Sequence, residues 1–241
     1  SQQEPRILTH YASVFGRWKG LPLGGAKEFV DGYTNNPNMD FHTMVADMAN
    51  ISRKQAKTIN LGMMYGMGVR KLADQLDLEF EDAKELTQQY HSRVPFVKEL
   101  MNGVSRSVDQ KDDGSLRSLK GRKCRFDMFE PMGYDIQKAM PLKEAKATYG
   151  ETAPLKRAYT YKALNRLIQA SAADMTKQAM VDLYEAGERP LLQVHDELGC
   201  SVTSADHAKR IKQVMEDAIR LHVPNKCDID LGPSWGETKE I

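Results

Sequence analysis

The sequence predicts an α+β fold, and three observations support this prediction. Helical patterns fill the middle of the chain, from about residue 41 to residue 108 and again from 155 to 186. Short alternating segments lie near the C-terminal end, at residues 191–202 and 227–231. No repeat, low-complexity segment or long linker divides the chain. We expect one sheet to form from the two ends of the chain.

Composition limits the class of protein without identifying it. The chain has 241 residues, with 34 Lys+Arg, 33 Asp+Glu and a formal net charge of +1. Net charge therefore neither favours nor excludes nucleic acid, and a DNA-binding surface would have to be a local concentration of cations. No run approaches the roughly 20 apolar residues of a membrane span, and no signal peptide is recognisable. We expect a cytoplasmic protein with no membrane partner.

The three cysteines indicate the same compartment. Cys124, Cys200 and Cys227 are odd in number and widely spaced, so neither a zinc site nor a disulfide framework is expected. This pattern is typical of a reducing cytosol.

The first part of the chain predicts three short helices. One begins near Glu4, with Pro5 in its first turn. Four glycines and a proline predict a loop at 16–25, and a helix follows at 26–33. Asp40 is then a suitable N-cap for a helix at 41–49.

The helix predicted at 52–66 carries the first functional pattern. Ser52 is a good N-cap, and Arg53, Lys57, Leu61 and Tyr65 recur at steps of four. These residues share one broad face, which presents two cations, an apolar residue and an aromatic ring. Such an order suits a ligand with a polyphosphate at one end and a flat ring at the other. An ordinary amphipathic surface helix with two solvated cations fits the residues equally well.

The next segments predict three helices and a basic hairpin. The helices are at 69–76, 80–92 and 95–108. Residues 115–126 alternate weakly and turn near Gly121, which indicates a β-hairpin that carries five cations and no acid. The hairpin is either a solvated basic loop or a ribbon that contacts phosphates. Residues 128–150 are expected to form a loop with a short helix.

Residues 155–186 predict one long helix, because they contain no Gly or Pro and Gly187 is a suitable C-cap. Asn165 and Gln169 project from one side of it, about 6 Å apart along the axis. Two amides in this position commonly bond each other or a neighbouring backbone. They are also able to contact the polar edges of bases.

Residues 191–202 predict a hairpin with a polar tip, His195-Asp196-Glu197. Adjacent Asp and Glu side chains repel each other unless a cation lies between them, so a metal site competes with a simple polar turn. A helix capped by Ser204 is expected to reach about Leu221, and residues 227–231 predict a final strand.

Taken together, these motifs resemble those of the family A DNA polymerases, the class of DNA polymerase I. The fingers-helix pattern R-x3-K-x6/7-YG is matched by Arg53, Lys57, Tyr65 and Gly66. The palm pattern V-H-D-E is matched at residues 194–197. The first palm motif is matched only from its third residue onward, by Ser1, Gln2, Glu4 and Arg6. The motifs follow the family order over essentially the whole chain.

The resemblance implies a right-hand polymerase fold in which a helical fingers subdomain is inserted into a palm with an antiparallel sheet. Residues 1–39 are then a palm segment, 40–160 the fingers, and 161–241 the palm with its catalytic hairpin. The implied activity is template-directed DNA synthesis, in which dNMPs from dNTPs are added to a primer 3′-OH. Two Mg²⁺ ions, with Mn²⁺ as a possible substitute, are the implied cofactors, and primer-template DNA is the implied partner.

The resemblance also assigns roles to individual residues. Asp196 and Glu197 are the implied metal ligands, and Lys57 is also a candidate proton donor to leaving pyrophosphate. The implied nucleotide-binding residues are Arg53, Lys57, Leu61, Tyr65, His42, Glu4 and Gln2, with Glu4 selecting deoxyribose. The implied primer-template contacts are Asn165, Gln169 and His195, and the hairpin from Gly114 to Arg122 matches a further family ribbon.

Leu61 departs from the family pattern, since members commonly carry Phe or Tyr there. We expect strong discrimination against dideoxynucleotides and altered speed or fidelity. Leucine at this position is also found among phage polymerases, which favours a phage source and the host-cell cytoplasm.

The second departure is that the family's first catalytic aspartate would lie two residues before Ser1. A Ser at this place is also what protein splicing requires after an intein. We therefore expect the C-terminal part of a split or intein-interrupted polymerase. Its N-terminal partner would supply the aspartate, the thumb and an exonuclease domain if one is present. The alternative is a catalytically inactive fragment that binds dNTP or primer-template.

Overall fold

The structure is a computed structural model that describes residues 2–15, 23–133 and 138–241. Its α-helices are α1 (Gln3–Phe15), α2 (Ala26–Asn35), α3 (Phe41–Ala49), α4 (Arg53–Met64), α5 (Val69–Leu76), α6 (Phe80–Arg93), α7 (Pro95–Asp109), α8 (Leu142–Tyr149), α9 (Ala163–Glu185) and α10 (Ala205–Asp217). Its strands are β1 (Ser115–Arg117), β2 (Lys123–Arg125), β3 (Met128–Pro131), β4 (Met140–Pro141), β5 (Leu155–Arg157), β6 (Pro190–Val194), β7 (Glu197–Cys200), β8 (Asp230–Leu231) and β9 (Lys239–Glu240). The predicted α+β class is confirmed.

The chain forms two compact units. The first combines Ser1–Asn50 with Ser171–Ile241, and the second is Ile51–Ala170. In sequence, the second unit lies between the two segments of the first. The division into a palm segment at 1–39, fingers at 40–160 and palm at 161–241 stays a prediction.

The core of the first unit packs around an arginine. Phe29, Tyr33 and Phe41 are fully buried, and the Phe29 and Phe41 rings lie 4.8 Å apart. Arg6 is 2% exposed and lies over the Tyr33 ring at 4.4 Å. Its guanidinium donates to the carbonyls of Pro37, at 2.6 Å, and Pro224. Burial lowers the pKa of this guanidinium, and the two carbonyls and the ring face offset the cost of burying its charge.

The second unit is built mainly from α4 to α7. Ile59 on α4, Leu72 on α5, and Phe96 and Leu100 on α7 are fully buried. The Tyr90 hydroxyl on α6 donates to the Asn60 Oδ1 on α4 at 2.8 Å. Apolar packing and this buried hydrogen bond therefore fix the orientation of α4 in its unit.

The strands form small antiparallel sheets. In the part of the chain that the structure describes, β1 pairs with β2, β3 with β4 and β5, β6 with β7, and β8 with β9. Among the described residues, the expectation of one sheet from the two ends is wrong, because the strands pair in separate small sheets and residues 3–15 form the helix predicted near Glu4. Proline in its first turn and the buried stripe of Ile7, Leu8 and Ala12 favour that helix.

The long helix predicted at 155–186 is wrong at its start. Residues Leu155–Arg157 form β5, Tyr159 has a φ of 63°, a short 3₁₀ turn covers Thr160–Lys162, and α9 begins at Ala163. Arg157 explains the difference, since its guanidinium donates to the carbonyls of Phe126 at 2.8 Å and Asp112 at 2.6 Å. These tertiary hydrogen bonds override the local helical pattern.

Other predicted elements differ in extent. Residues 128–150 contain β3, β4 and α8, where a loop with a short helix was expected. The helix capped by Ser204 ends at Asp217, and the final strand predicted at 227–231 is reduced to Asp230–Leu231. The predicted loop at 16–25 lies, for residues 16–22, outside the described residues. No described helix has the length and apolar character needed to span a bilayer.

Candidate functional site

Helix α4 begins with a complete capping box. The Ser52 Oγ accepts from the backbone N–H of Gln55 at 3.2 Å, and the Gln55 Oε1 accepts from the N–H of Ser52 at 3.0 Å. This reciprocal pair satisfies two backbone donors at the helix start. The predicted N-cap is therefore confirmed, and the register of the following residues is fixed.

The two faces of α4 differ sharply. Ala56, Ile59 and Met63 are buried on one side. On the other, Arg53 and Lys57 are exposed, Leu61 is half-buried and Tyr65 is 42% exposed. We call Arg53, Lys57, Leu61 and Tyr65 the α4 stripe. Its two ends, one cationic and one aromatic, are accessible to a ligand.

The C-terminal end of α4 has a tight backbone cap. The Met67 N–H donates to the Gly62 carbonyl at 2.8 Å and the Gly66 N–H to the Met63 carbonyl at 3.2 Å. Gly66 has a φ of 70°, the left-handed conformation that glycine adopts without steric cost. A Cβ at Gly66 would lie 3.2 Å from both the Tyr161 ring and the Tyr161 carbonyl oxygen. Glycine thus allows the 3₁₀ turn before α9 to approach the end of α4.

One pair of predicted site residues is in direct contact. The Gln169 Nε2 donates to the Tyr65 hydroxyl at 3.3 Å, which joins the α4 stripe to the start of α9. Gln169 is exposed, and Asn165, one turn earlier, is half-buried. The predicted amide pair and the aromatic end of the stripe therefore belong to the same unit.

The basic hairpin is confirmed as β1 and β2. Leu116 lies opposite Cys124, and Arg117 lies opposite Lys123. The Arg117 Nη1 donates to the Gly121 carbonyl at 2.8 Å, and the Arg122 Nη2 donates to the Ala170 carbonyl at 2.7 Å. The guanidinium groups thus hold the turn in shape and attach the ribbon to the end of the second unit.

One carboxylate partly neutralises the positive charge of this hairpin. Asp113 accepts from Lys123 at 2.6 Å and from the Ser115 hydroxyl at 2.8 Å. These hydrogen bonds lower the pKa of Asp113 to about 2, so the carboxylate is charged at neutral pH.

The base of the ribbon is held by two arginines. A Cβ at Gly114, which has a φ of 52°, would lie 2.2 Å from the Arg157 Nη1. The Arg166 Nη1 donates to the Arg125 carbonyl at 2.9 Å, and this guanidinium lies 4.7 Å from the Phe126 ring centroid. Glycine at 114 therefore allows Arg157 to reach the carbonyls that it binds.

The predicted residues near the N-terminus lie in the first unit. The Gln2 Oε1 accepts from the Phe41 N–H at 2.9 Å and from the Tyr33 hydroxyl at 3.0 Å, and its Nε2 donates to the Met39 carbonyl at 3.2 Å. Glu4 is half-buried in the first turn of α1, and Ser1 lies outside the described residues. The Gln2 amide thus ties the start of α1 to α2 and α3.

His42 also belongs to the first unit. It lies on α3, is 8% exposed, and contacts the Phe41 ring edge-on at a centroid distance of 6.0 Å. The preceding Asp40 caps α3 as predicted, because its Oδ1 accepts from the Thr43 N–H at 2.9 Å. His42 is therefore in a different unit from Arg53 and Lys57.

The acidic hairpin of the first unit is confirmed as β6 and β7. Val194 pairs with Glu197, which leaves His195 and Asp196 as a two-residue turn. His195 has a φ of 53°, unusual for a residue other than glycine, and the Gln193 Nε2 donates to its carbonyl at 3.0 Å. His195, Asp196 and Glu197 are all exposed. The backbone turn therefore presents two adjacent carboxylates to solvent.

These carboxylates fit part of a magnesium site. Mg²⁺ prefers oxygen ligands and is commonly held by one or two carboxylates, waters and substrate phosphates. Asp196 and Glu197 supply the one or two carboxylates that a magnesium site commonly uses. In residues 2–15, 23–133 and 138–241, no group of three or more His, Cys, Asp or Glu side chains could hold a metal ion. Asp196 and Glu197 are therefore two of the oxygen ligands that such a site needs.

Sequence reasoning missed the exposed tyrosines beside the end of α4. Tyr159 and Tyr161 are 41% and 53% exposed, and the Lys162 Nζ lies 5.2 Å and 5.5 Å from their ring centroids. The prediction of one helix over residues 155–186 gave no reason to expect these tyrosines at an exposed turn. The segment Tyr159-Thr160-Tyr161, with aromatic and β-branched residues of modest helix propensity, was the available signal.

Comparison with known proteins agrees with this geometry. The family model described as DNA polymerase family A matches residues 1–237. The DNA-directed DNA polymerase of Pseudomonas phage M6 is 34% identical over 276 residues, covering 99% of this chain and 37% of the phage protein. DNA polymerase I of Geobacillus stearothermophilus is 29% identical over 248 residues, covering 99% of this chain and 25% of that protein.

A solved structure shows the same fold. The POL domain of Pol1 from M. smegmatis, in complex with DNA primer-template and dNTP, matches with a TM-score of 0.67 at 27% identity. The match covers 93% of this chain and 36% of that one. The structural match and the family model therefore indicate the same class of protein.

The chain belongs to DNA polymerase family A. Its relatives are found in both phages and bacteria. The chain spans about a quarter to two-fifths of the length of the curated relatives that it matches.

Proposed function

We propose that this chain is the nucleotide-selecting and primer-binding part of a template-directed DNA polymerase. The observation that carries the proposal is the α4 stripe. Two exposed cations and an exposed tyrosine lie on one face of a helix whose other face is buried, and the tyrosine is bonded to Gln169. The alternative, an ordinary surface helix with solvated cations, does not account for the exposed tyrosine or for its hydrogen bond with Gln169.

The α4 stripe would bind the incoming dNTP. Arg53 and Lys57 would hold the β- and γ-phosphates, since charge-assisted hydrogen bonds to phosphate are strong and both side chains are accessible. Leu61 and Tyr65 would contact the sugar and base. Lys57 is the proposed donor of a proton to the leaving pyrophosphate.

Residues of the first unit would complete nucleotide recognition. Glu4 would exclude a 2′-hydroxyl. Gln2 already uses both ends of its amide on the backbone and on Tyr33, so we propose that it acts by positioning the start of α1. His42 would contact a phosphate, which requires its largely buried ring to become accessible.

Asp196 and Glu197 would hold Mg²⁺, a divalent metal of the kind that family A polymerases generally use. When bound, paired Mg²⁺ ions supply charge stabilisation of the attacking and leaving oxygens in phosphoryl transfer. The tight turn at His195 and Asp196 keeps the two carboxylates at an exposed tip, and Glu197 is the weaker or outer ligand. His195 would contact the primer terminus.

The DNA duplex would be gripped by phosphate and minor-groove contacts. The β1–β2 ribbon supplies cations on a fixed scaffold, a common basis of sequence-independent affinity. Asn165 and Gln169 would contact the minor groove, where correct base pairs look alike, so such contacts test shape rather than sequence. In this scheme the second unit corresponds to the fingers and the first to the palm.

Two Mg²⁺ ions need more oxygen ligands than Asp196 and Glu197 supply. Asp196 and Glu197 leave two ions incompletely ligated, and no larger cluster exists among the described residues. We propose that an N-terminal polymerase segment provides this carboxylate together with the thumb.

The test is primer extension with Mg²⁺ by this chain, with and without the N-terminal segment of a family A polymerase. The proposal predicts extension in the mixture or fusion. If the combined enzyme binds primer-template and dNTP yet never extends the primer, the chain is a binding fragment. This is the second candidate function, and the small number of metal-binding carboxylates at the β6–β7 turn favours it.

A further inference from the structure

An exposed tryptophan rests on the strand that follows the acidic turn. Trp235 is 55% exposed, yet one edge of its ring lies against β7. A Cβ at Gly199 would lie 2.9 Å from the Trp235 Cζ3 and 3.6 Å from its Cε3. Glycine at position 199 therefore lets the ring lie close to the strand, in the space that a side chain would otherwise occupy.

The loop that carries Trp235 is tightly built. It connects β8 and β9, and in it the Glu237 N–H donates to the Ser234 carbonyl at 3.0 Å, while the Ser234 hydroxyl donates to the Glu237 Oε2 at 3.1 Å. A Cβ at Gly232 would clash with the Glu237 carbonyl oxygen. Trp235 is thus the second residue of a β-turn that is closed by hydrogen bonds. Its backbone is held in place, so packing its ring costs little further conformational entropy.

Trp235 packs on the side of the β6–β7 hairpin that also carries Glu197. Leu192 lies opposite Gly199, and Val194 lies opposite Glu197. Residues that face each other across a ladder, and residues two apart along a strand, share one face of a sheet. Gly199 and Glu197 are therefore on the same face, about 7 Å apart along β7.

The hairpin itself has little other support. In residues 2–15, 23–133 and 138–241, β6 and β7 pair only with each other. A two-stranded hairpin alone is marginally stable in water. Leu191, Leu192 and Val194 are 69%, 48% and 40% exposed, so β6 buries little apolar area. The side chains that do pack on the hairpin therefore matter for the position of its turn.

We propose that Trp235 is a positioning residue for the acidic turn. By packing on Gly199 it holds β7 in place, and it thereby fixes the two carboxylates of Asp196 and Glu197 in the arrangement that binds Mg²⁺. The inference rests on the proposed function, which makes these carboxylates metal ligands. Groups that orient metal ligands without touching the metal commonly set the affinity of a site.

The first measurement is amide hydrogen exchange of the full chain, without metal, followed by mass spectrometry. Trp235→Ala should speed exchange at residues 190–200 about tenfold, because a half-buried large apolar side chain is lost, and leave α9 unchanged. Trp235→Phe keeps an aromatic ring and should retain most of the protection. Tyr184→Ala, which removes a 71% exposed tyrosine from the same unit, is the control and should have no effect.

A double-mutant cycle tests whether the ring acts through Gly199. In the Trp235→Ala background, Gly199→Val places an apolar side chain in the space that the ring has left and should restore part of the protection. In the wild-type background the same change crowds the ring and should give no such gain. An equal gain in both backgrounds would show that valine acts through its strand propensity, and it would overturn the proposed contact.

The second measurement is Mn²⁺ binding by the full chain, with the free ion followed by electron paramagnetic resonance. Asp196→Asn identifies the part of the binding that depends on the acidic turn. Trp235→Ala should weaken that part about tenfold, the low end of the loss seen when groups that orient metal ligands are removed. Trp235→Phe and Tyr184→Ala should bind Mn²⁺ like the wild type.

Unchanged exchange at residues 190–200 in Trp235→Ala would overturn the inference. Faster exchange with unaltered Asp196-dependent Mn²⁺ affinity would also overturn it, and would leave the proposed function intact. A wild-type chain that binds no Mn²⁺ through Asp196 would instead refute the metal role that the proposed function gives this turn. Neither measurement requires DNA, dNTP or catalysis.

Discussion

At the residue scale, Leu61 is the unusual position of the α4 stripe. It is half-buried between the exposed Lys57 and the exposed Tyr65. A branched aliphatic side chain gives a smaller flat surface than a phenyl ring for packing against a sugar. In the proposed role, its effect on nucleotide choice would follow from what the side chain can contact, since neither residue type carries charge.

Leu61→Phe is therefore expected to shift the preference between dNTP and dideoxynucleotide. Aromatic contacts contribute about 0.5–1.5 kcal/mol beyond their area, so the ratio of incorporation efficiencies should change about two- to tenfold. Competitive single-nucleotide incorporation by the completed polymerase measures it. Leu61→Met, of similar volume, is the control. An unchanged ratio in Leu61→Phe would remove Leu61 from nucleotide selection.

At the scale of an element, α4 shows how far sequence reasoning reaches. The Ser52 cap, the shared face of Arg53 and Lys57, and a helix end just before Gly66 were all predictable from capping chemistry and helical periodicity. The contact between Tyr65 and Gln169 was not, since these residues are 104 positions apart. Local rules fix which face a residue occupies, and tertiary packing decides what it touches.

The segment before α9 shows the opposite outcome. Residues 155–162 lack Gly and Pro, so local rules predict helix. In the structure Arg157 is drawn to the carbonyls near the basic hairpin, and the chain forms β5 and a 3₁₀ turn instead. The helix therefore begins eight residues later than the sequence predicts, at Ala163. Tyr159 and Tyr161, which precede it, are exposed.

The α4 stripe also predicts a difference between two neighbouring lysines. Lys57 lies on the stripe, whereas Lys54, also exposed, lies one turn nearer the helix start and about 60° around the axis from Lys57. Lys57→Ala should weaken dNTP binding about 10- to 100-fold, as expected for a lost charge-assisted hydrogen bond to phosphate. Lys54→Ala should change it little. Equal effects would show that the helix acts through its overall charge.

At the scale of the whole molecule, the first unit contains a pair of histidines that should make stability depend on pH. The His10 and His222 rings lie 4.9 Å apart, and the His10 Nδ1 accepts from the His222 N–H at 3.1 Å. The His222 Nδ1 and the Ser13 hydroxyl are 2.8 Å apart. Burial, together with the neighbouring His222, lowers the pKa of His10 to about 4.

The direction of the pH effect follows from linkage. Between pH 6.5 and 4 the unfolded chain binds a proton at His10 that the folded chain does not, so stability falls as the pH falls through this window. The expected loss is about 2–3 kcal/mol in the free energy of unfolding. Denaturant unfolding at a series of pH values measures it.

His10→Gln should flatten the profile in that window, because an amide cannot titrate and still offers an acceptor. His195→Gln, at the exposed hairpin turn, is the control and should leave the profile unchanged. A wild-type profile that is flat from pH 6.5 to 4 would contradict the neutral state of the half-buried His10.

The proposed function of the whole molecule depends on Asp196 binding metal together with a carboxylate that an N-terminal polymerase segment supplies. Its most direct measurement is Mg²⁺-dependent primer extension by the chain combined with an N-terminal polymerase segment, comparing Asp196→Ala with Asp206→Ala. Asp206 is an exposed carboxylate of the same unit, paired with Lys209 at 3.4 Å. The account predicts that Asp196→Ala abolishes extension while retaining primer-template binding, and that Asp206→Ala extends normally. Undiminished extension by Asp196→Ala would contradict it.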